Sequence, residues 1–507
     1  MTQFTTRAGR AFPLGATVSS DGVNFSVFSR HSTLAEVLLF ANDADSEPTA
    51  ILELDPVSHR AHYCWHIFVE GLPVGYQYTW RVDGPRGDLT NGFRFDGRRQ
   101  RLDPWARDVR TTHWNRERAL GPDYADTAMR AVIVADDYDW EDDEPLHQPL
   151  ADAVIYELHP SGFTKHPSSG VNAPGTFAGL IEKIPYLESL GVTHVELLPI
   201  FLFDRDDVPE SVAAKGLTNY WGYSPCAFMA IHSEYAAGAN AVDEFRDLVK
   251  ALHRAGIGVI LDVVFNHTSE GGPDGPVISL KGFANEMYYH LEESNLMHYR
   301  DYTGCGNTVN ANHPVVAQLL EQSVEYWVTE MHVDGFRFDL ASALARGERG
   351  EPLQHAPVLW SIASSCVLAV TKLIAEAWDA TGMTHLGNFP GLRWAEWNGD
   401  YRDTVRRFLR GDPGLIGTLG SRIAGSSDLF GASGALPTSS INFITCHDGF
   451  TLADLVSYMT KHNENNGESN RDGSDNNCST NWGVEGPTDD PDILAIRRRQ
   501  AKNHILL

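Results

Sequence analysis

The run Val259-Ile260-Leu261-Asp262-Val263-Val264-Phe265 leaves few folds open to this chain. It is almost continuously apolar, as a strand must be when both faces of its parallel sheet are covered. The same texture recurs at Ala153–Leu158, His194–Leu198, Gly335–Asp339, Lys372–Ala375, Leu392–Trp397 and Ser440–Cys446. Amphipathic stretches lie between these runs. Phe177, Leu180, Ile181, Ile184, Leu187 and Leu190 recur at helical spacing up to Gly191, a natural C-terminal stop, and Phe245, Leu248, Val249 and Leu252 do so up to Gly256. A further helix is predicted from about Pro314 to Met331. Alternating strands and helices imply an α/β fold with a parallel sheet, and seven runs favour a TIM-type β/α barrel over an open sheet. The count is one short of eight. After Cys446 come a predicted helix over Thr451–Tyr458, an Asn/Gly/Ser/Asp-rich loop over Asn463–Pro487, and a last amphipathic helix near Ile493 and Ile496.

The N-terminal stretch reads differently. Val23–Ser29 and Tyr76–Val82 alternate apolar and polar residues, Glu36–Phe40 is another apolar run, and Asp-Gly, Leu-Pro and Val-Asp-Gly-Pro turns divide them. A small β-sandwich follows, without an acid–base cluster of its own. The domains expected are a sandwich over 1–110, an acidic, solvated connector over 111–150, and the barrel over 151–507; a chain of 507 residues has room for all three.

Composition narrows the function. A formal net charge of −27 argues against a nucleic-acid partner and is compatible with a neutral polymer such as a sugar. Six scattered cysteines form no Cys-x-x-Cys pair and point to reduced thiols in a cytoplasm. The N-terminus lacks signal-peptide features and no apolar run is long enough to span a membrane, so no membrane partner is expected. Zinc-protease, phosphate-loop and nucleophile-elbow motifs do not occur. No cofactor is expected, and the oligomeric state stays open.

His332-Val333-Asp334-Gly335-Phe336-Arg337-Phe338-Asp339-Leu340 carries the chemistry. In a strand, Arg337 and Asp339 share one face, and a guanidinium beside a carboxylate favours the ionised acid that a nucleophile needs. Catalytic groups of a β/α barrel sit at the C-terminal ends of its strands. Here the third run ends in Asn266-His267, the fourth in Asp339, the fifth in Glu376 and the seventh in His447-Asp448. Salt bridges around a barrel mouth are the bland alternative. Three carboxyl groups in one mouth cannot be equivalent: like charges raise one pKa while Arg337 holds Asp339 down. Glu376 can then donate a proton and Asp339 attack, the division of labour of a retaining glycosidase, whose two carboxyl groups sit about 5–5.5 Å apart. Asp448 would stay ionised and position the sugar, with His267 and His447 hydrogen-bonding its hydroxyls.

Four short regions now carry a resemblance: Asp262-Val263-Val264-Phe265-Asn266-His267, Gly335-Phe336-Arg337-Phe338-Asp339, Ala375-Glu376-Ala377-Trp378-Asp379 and Cys446-His447-Asp448-Gly449. Their order and placement are similar to the α-amylase superfamily (glycoside hydrolase family 13). Tyr156-Glu157-Leu158-His159, Asn219-Tyr220-Trp221-Gly222-Tyr223 and the tract His462–Gly473 resemble the isoamylase-type glycogen debranching enzymes within it. The resemblance implies a carbohydrate-binding-type N-terminal module and hydrolysis of α-1,6 branch linkages in glycogen or related glucans. It implies Asp339 as nucleophile, Glu376 as general acid/base and Asp448 as the third, transition-state-stabilising acid. Arg337, His267 and His447 match substrate-binding companions, Asp262 and Asn266 structural members of the first region. Tyr156 and Trp221 are taken as substrate-stacking aromatics because the family motifs include them. Some superfamily members carry calcium, but no ligand loop is recognisable here and no ion is placed.

Two alternatives remain open: an α-glucan transglycosylase of branching type using the same machinery, and a glucan-binding protein with little activity. Pro160-Ser161 departs from the family's strand-1 motif. Family members also continue past the final helix into an eighth strand and a C-terminal β domain, whereas this chain stops at Leu507. The expectation is a barrel lacking its eighth strand, with two unpaired sheet edges, poorly stable and weakly active despite intact catalytic residues. A cooperative melt at high temperature, together with full activity of the purified chain, would refute it.

Overall fold

The computed structural model describes every residue except Met1, Asp123 and Leu392. Two antiparallel sheets form the N-terminal sandwich. One runs in the order Thr6–Ala8, Cys64–Glu70, Gly22–Phe28, Gly15–Ser19, with Arg60–Ala61 added to Cys64–Glu70. The other runs Ala50–Glu53, Leu34–Phe40, Gln77–Asp83, Arg130–Val132, Val109–Arg110. Val23, Phe25, Val27, Val37, Leu39, Trp65, Ile67, Tyr78 and Trp80 fill the space between. The 111–150 stretch was expected to be a solvated connector, yet Arg130–Val132 is a buried strand paired with Gln77–Asp83. The apolar Ala128, Met129, Ala131 and Ile133 around it are buried, which outweighs the acidity of the segment as a whole.

Seven parallel strands follow, each paired with the next in sequence: β1 (Ile155–Leu158), β2 (His194–Leu197), β3 (Gly258–Val263), β4 (Gly335–Phe338), β5 (Lys372–Ala375), β6 (Ala395–Trp397) and β7 (Ser440–Ile441). Among the described residues β1 and β7 pair on one side only. The predicted helix over 177–190 is two, α1 (Phe177–Ile181) and α2 (Ile184–Leu190), because Pro185 removes a backbone donor at the start of the second. Gly191 ends α2 with φ 76°, a conformation glycine adopts without steric cost. Helix α3 (Ala241–Arg254) buries Phe245, Leu248, Val249 and Leu252 and is capped by Asn240, and α4 (Pro314–Thr329) leads into β4. The seventh predicted run, Ser440–Cys446, is a strand only at its first two residues, and Thr451–Tyr458 is helical only over Leu452–Leu455. Of the sixth run, Leu392 lies outside the described residues.

The strands separate two shells. Outward-pointing Val195, Leu197, Val259, Leu261, Phe336, Phe338 and Leu373 join the main core beneath the helices. Inward, Ile260, Ile374, Ala395 and Trp397 form only a small apolar cluster, with Ile155 and Ile441 packed against it; Glu157, Glu196, Asp262 and Arg337 share that face. The apolar texture of β3 therefore conceals a strict alternation, with Asp262 facing inward.

Beneath the barrel the 111–150 stretch is clamped to it. Trp140 stacks on His332 at 3.8 Å between ring centroids. His332 and His253 each reach Asp143, at 2.8 and 3.0 Å, and His253 also meets Asp334 at 2.9 Å. Asp334 accepts the backbone N–H of Leu146 and of Val259, both at 2.7 Å. Burial disfavours a charged His253, but the hydrogen bonds and charges of Asp334 and Asp143 prevail and raise its pKa; against the same burial, His253 lowers that of Asp334. The His253 contribution to stability is thus complete below its ordinary pKa of 6.5 and is lost as pH rises through the raised folded value; the Asp334 contribution is lost as pH falls through its lowered one. Replacing His253 by Ala is expected to cost about 3 kcal/mol near neutral pH and to flatten the alkaline fall of stability, read by denaturant melts across pH.

Candidate active site

Strands β3, β4 and β5 bring their inward acids to one guanidinium. Arg337, fully buried on β4, donates through Nη1 to both carboxylate oxygens of Asp262 at 2.9 Å and to Asp339 Oδ1 at 3.0 Å, while Nη2 lies 3.1 Å from Glu376 Oε1. Its face lies over the Trp397 ring, 4.4 Å from the centroid. Asn266, just past β3, donates Nδ2–H to the Asp339 carbonyl and to Asp339 Oδ2, both at 2.8 Å. The chain then turns sharply: Leu340 sits at φ 39°, ψ 47°, a left-handed conformation uncommon outside glycine. That turn aims the Leu340 N–H at Glu376 Oε2, 2.7 Å away.

The acids are electrostatically unequal. Burial pushes Glu376 up to about 7, with Arg337 opposing and Asp339 adding to the rise. Burial likewise raises Asp262 to about 6 against Arg337. Asp448 is different, its side chain 59% exposed at the rim. With Trp221 it lines a cleft of about 560 Å³ whose far wall includes Lys461, His462, Asn463 and Asp472, from the tract His462–Gly473 and its flank. Trp221 stands edge-on to His447 at 5.3 Å.

Several expected residues take other positions than foreseen. Arg337, expected among the substrate-binding companions, is sealed from solvent and faces three carboxyl groups. His267 has both ring nitrogens engaged, Nδ1 at 2.6 Å from Asn266 Oδ1 and Nε2 at 3.0 Å from the Tyr223 carbonyl. Both partners accept, so the ring carries two protons; although burial opposes the charge, Cys305 and Asp339 raise its pKa to about 9. His267 thereby braces the amide that holds Asp339. Tyr156, expected to stack on substrate, points outward into the helix layer and meets Phe163 edge-on at 5.9 Å. Strand parity is the reason: its neighbour Glu157 faces inward, 2.8 Å from His447 Nδ1, and adjacent residues of one strand cannot share a face.

Sequence reasoning did not assign the parts that three residues play here. Glu157 was quoted only as part of a motif, and parity alone would have placed it inside. Tyr223 stacks on His447 at 4.9 Å and donates its hydroxyl to Asp262 Oδ2. Glu196, on β2, is fully buried, and burial together with Glu157 and Asp262 raises its pKa well above the ordinary range.

Comparison with known proteins places these features among relatives. A family model described as carbohydrate-binding module 48 (isoamylase N-terminal domain) matches residues 13–106, and one described as the alpha amylase catalytic domain matches residues 155–273. The chain is similar to a "Glycogen operon protein GlgX homolog" of Mycobacterium bovis, 45% identical over 516 residues, covering 98% of this chain and 70% of the relative. It is similar to a "Glycogen debranching enzyme" of Escherichia fergusonii, 43% identical over 519 residues, covering 100% and 76%. Among solved structures it resembles a pullulanase from Paenibacillus barengoltzii in complex with maltohexaose and alpha-cyclodextrin, with TM-score 0.69 and 25% identity over 88% of this chain and 69% of that one.

The shared guanidinium can be tested by substitution. Arg337→Met is expected to lower stability by about 3–5 kcal/mol, because it strands buried carboxyl groups without a counter-charge, read from equilibrium denaturation at neutral pH. A smaller loss at acidic pH, where those carboxyls are protonated, would separate the electrostatic cause from lost packing.

Proposed function

The chain belongs to the isoamylase-type glycogen debranching enzymes of the α-amylase superfamily, and on that premise we propose that it hydrolyses α-1,6 branch linkages of glycogen or related α-glucans by a retaining double displacement. One observation carries the catalytic assignment: Asp339 and Glu376 face the same guanidinium, and Asp448, whose charge Glu376 feels, lines an open cleft. A retaining mechanism asks for the closer of the two glycosidase spacings, about 5–5.5 Å, and a shared guanidinium keeps the two carboxyl groups near each other.

In this reading Glu376, protonated because burial raises its pKa to about 7, gives its proton to the branch-point oxygen as the C1–O bond breaks. Asp339, held by Arg337 and Asn266, bonds to C1 and forms a glycosyl ester. Glu376, now a carboxylate, takes a proton from water; the water oxygen bonds to C1 and Asp339 leaves. Asp448 and Trp221, exposed at the rim, hold the sugar, and His447 offers Nε2 toward it. The reaction so written needs no cofactor and no metal. The six unbridged cysteines support a cytoplasmic setting.

Reducing ends released from glycogen test the assignment. Glu376→Gln is expected to lose about 10²–10⁴-fold in kcat, and Asp339→Ala about 10⁴-fold or more. For the wild type, kcat/KM should fall as pH rises through about 7, as the Glu376 proton is lost. Equal release from wild type and Asp339→Ala would mean no chemistry at Asp339. Longer branches on amylose, without net release of reducing ends, would favour the transglycosylase.

A further inference from the structure

Glu157 lies on β1, remote in sequence from the catalytic acids, and touches none of them by hydrogen bond among the contacts of the mouth. What it touches is His447 Nδ1, at 2.8 Å. A second oxygen faces the same nitrogen: the Tyr223 hydroxyl, 3.4 Å away. That hydroxyl donates its one hydrogen to Asp262, so toward His447 it can only accept. Two acceptors on one ring nitrogen require that nitrogen to carry the proton. Nε2 then looks out of the barrel, 4.0 Å from Asp448 Oδ1, beside Trp221.

We propose that Glu157 is a positioning residue for His447, accepting its Nδ1–H and so fixing the ring with Nε2 toward the bound sugar. This rests on the glucan-cleaving reading of the mouth. The charge balance matters for that chemistry: an oxocarbenium-like transition state builds positive charge on the sugar, and a bare imidazolium beside it would repel that charge. Paired with Glu157, the imidazolium supplies a strong donor while the pair as a whole is neutral.

The groups packed around the ring decide which way it titrates. Arg337 from β4 and burial oppose its charge; Glu157 from β1 and Asp448 from the ring's own loop favour it. Tyr223 and Trp221 from the loop after β2 and Trp397 from β6 contribute ring faces, and Glu196 from β2 lies next to Glu157. Burial is the largest single influence, yet the Glu157 hydrogen bond and charge overcome it and raise His447 to about 9.

The test is an NMR titration of histidine-labelled full-length chain, with the His447 signal assigned by its loss in His447→Asn. In the wild type the ring should stay doubly protonated to about pH 8, well above the ordinary histidine value of about 6.5. In Glu157→Gln it should titrate at least about two units lower, with kcat/KM on glycogen down about 10- to 100-fold at pH 8 and less at pH 6. Glu157→Asp, which keeps the charge, should restore most of the titration. A wild-type His447 titrating near 6.5 overturns the proposal without recourse to any variant. So does a Glu157→Gln that leaves the titration unmoved, or that loses activity by one factor at every pH, as a merely structural residue would. Should the wild type release no reducing ends, the glucan reading falls, while the titration still decides whether Glu157 governs the ring.

Discussion

The buried Arg337 guanidinium is the interaction on which the rest of the mouth depends. Sealing a cation from water is costly unless its donors and charge are met in place. Here its charge is met by Asp262 from β3, Asp339 from its own strand, Glu376 beyond β5 and the Trp397 ring from β6, with the hydrogen bonds made through Nη1. One side chain thus ties four strands at the level where their C-terminal ends open. It also makes three chemically similar carboxyl groups unequal, because each meets the guanidinium with a different burial and different second partners.

Around that centre the structure places a shell of residues that hold the acids. Asn266 fixes Asp339 through both its carbonyl and its carboxylate, and His267 fixes Asn266. Tyr223 fixes Asp262 and stacks on His447. Such a shell holds reacting groups in place before substrate arrives, so little reorganisation is needed during the reaction.

The N-terminal sandwich is bonded to the barrel at several points rather than hung from a linker. Ser29 Oγ donates to the Phe283 carbonyl at 2.7 Å, Trp105 Nε1 to Gln322 at 2.8 Å, and the Leu102 N–H to the Ile278 carbonyl at 2.9 Å. Its tryptophans Trp65 and Trp80 are fully buried in its own core. Together with the clamp of Trp140 and Asp143 beneath the barrel, these contacts make the module a brace for the catalytic unit.

Much was legible in the residue order alone. Parallel strands buried on both faces must be apolar, so the βα series and its seven runs could be read directly, and Asp339, Glu376 and Asp448 stood out because acids close apolar strands only where something polar is to be done. Parity was legible too, although Tyr156 shows how easily a motif overrides it. Other features had no local signal. Arg130–Val132 is a strand because a distant partner, Gln77–Asp83, offers it an edge, and of the run that ends in Cys446 only Ser440 and Ile441 pair with β6. The protonation of His447 and His267 depends on Glu157, Tyr223 and Asn266, which are neighbours only after the barrel curls. Residue types and their spacing determined which groups carry the chemistry. Only the tertiary structure decided their charge states and which of them face the substrate, because pKa and exposure are set by contacts across strands far apart in the chain.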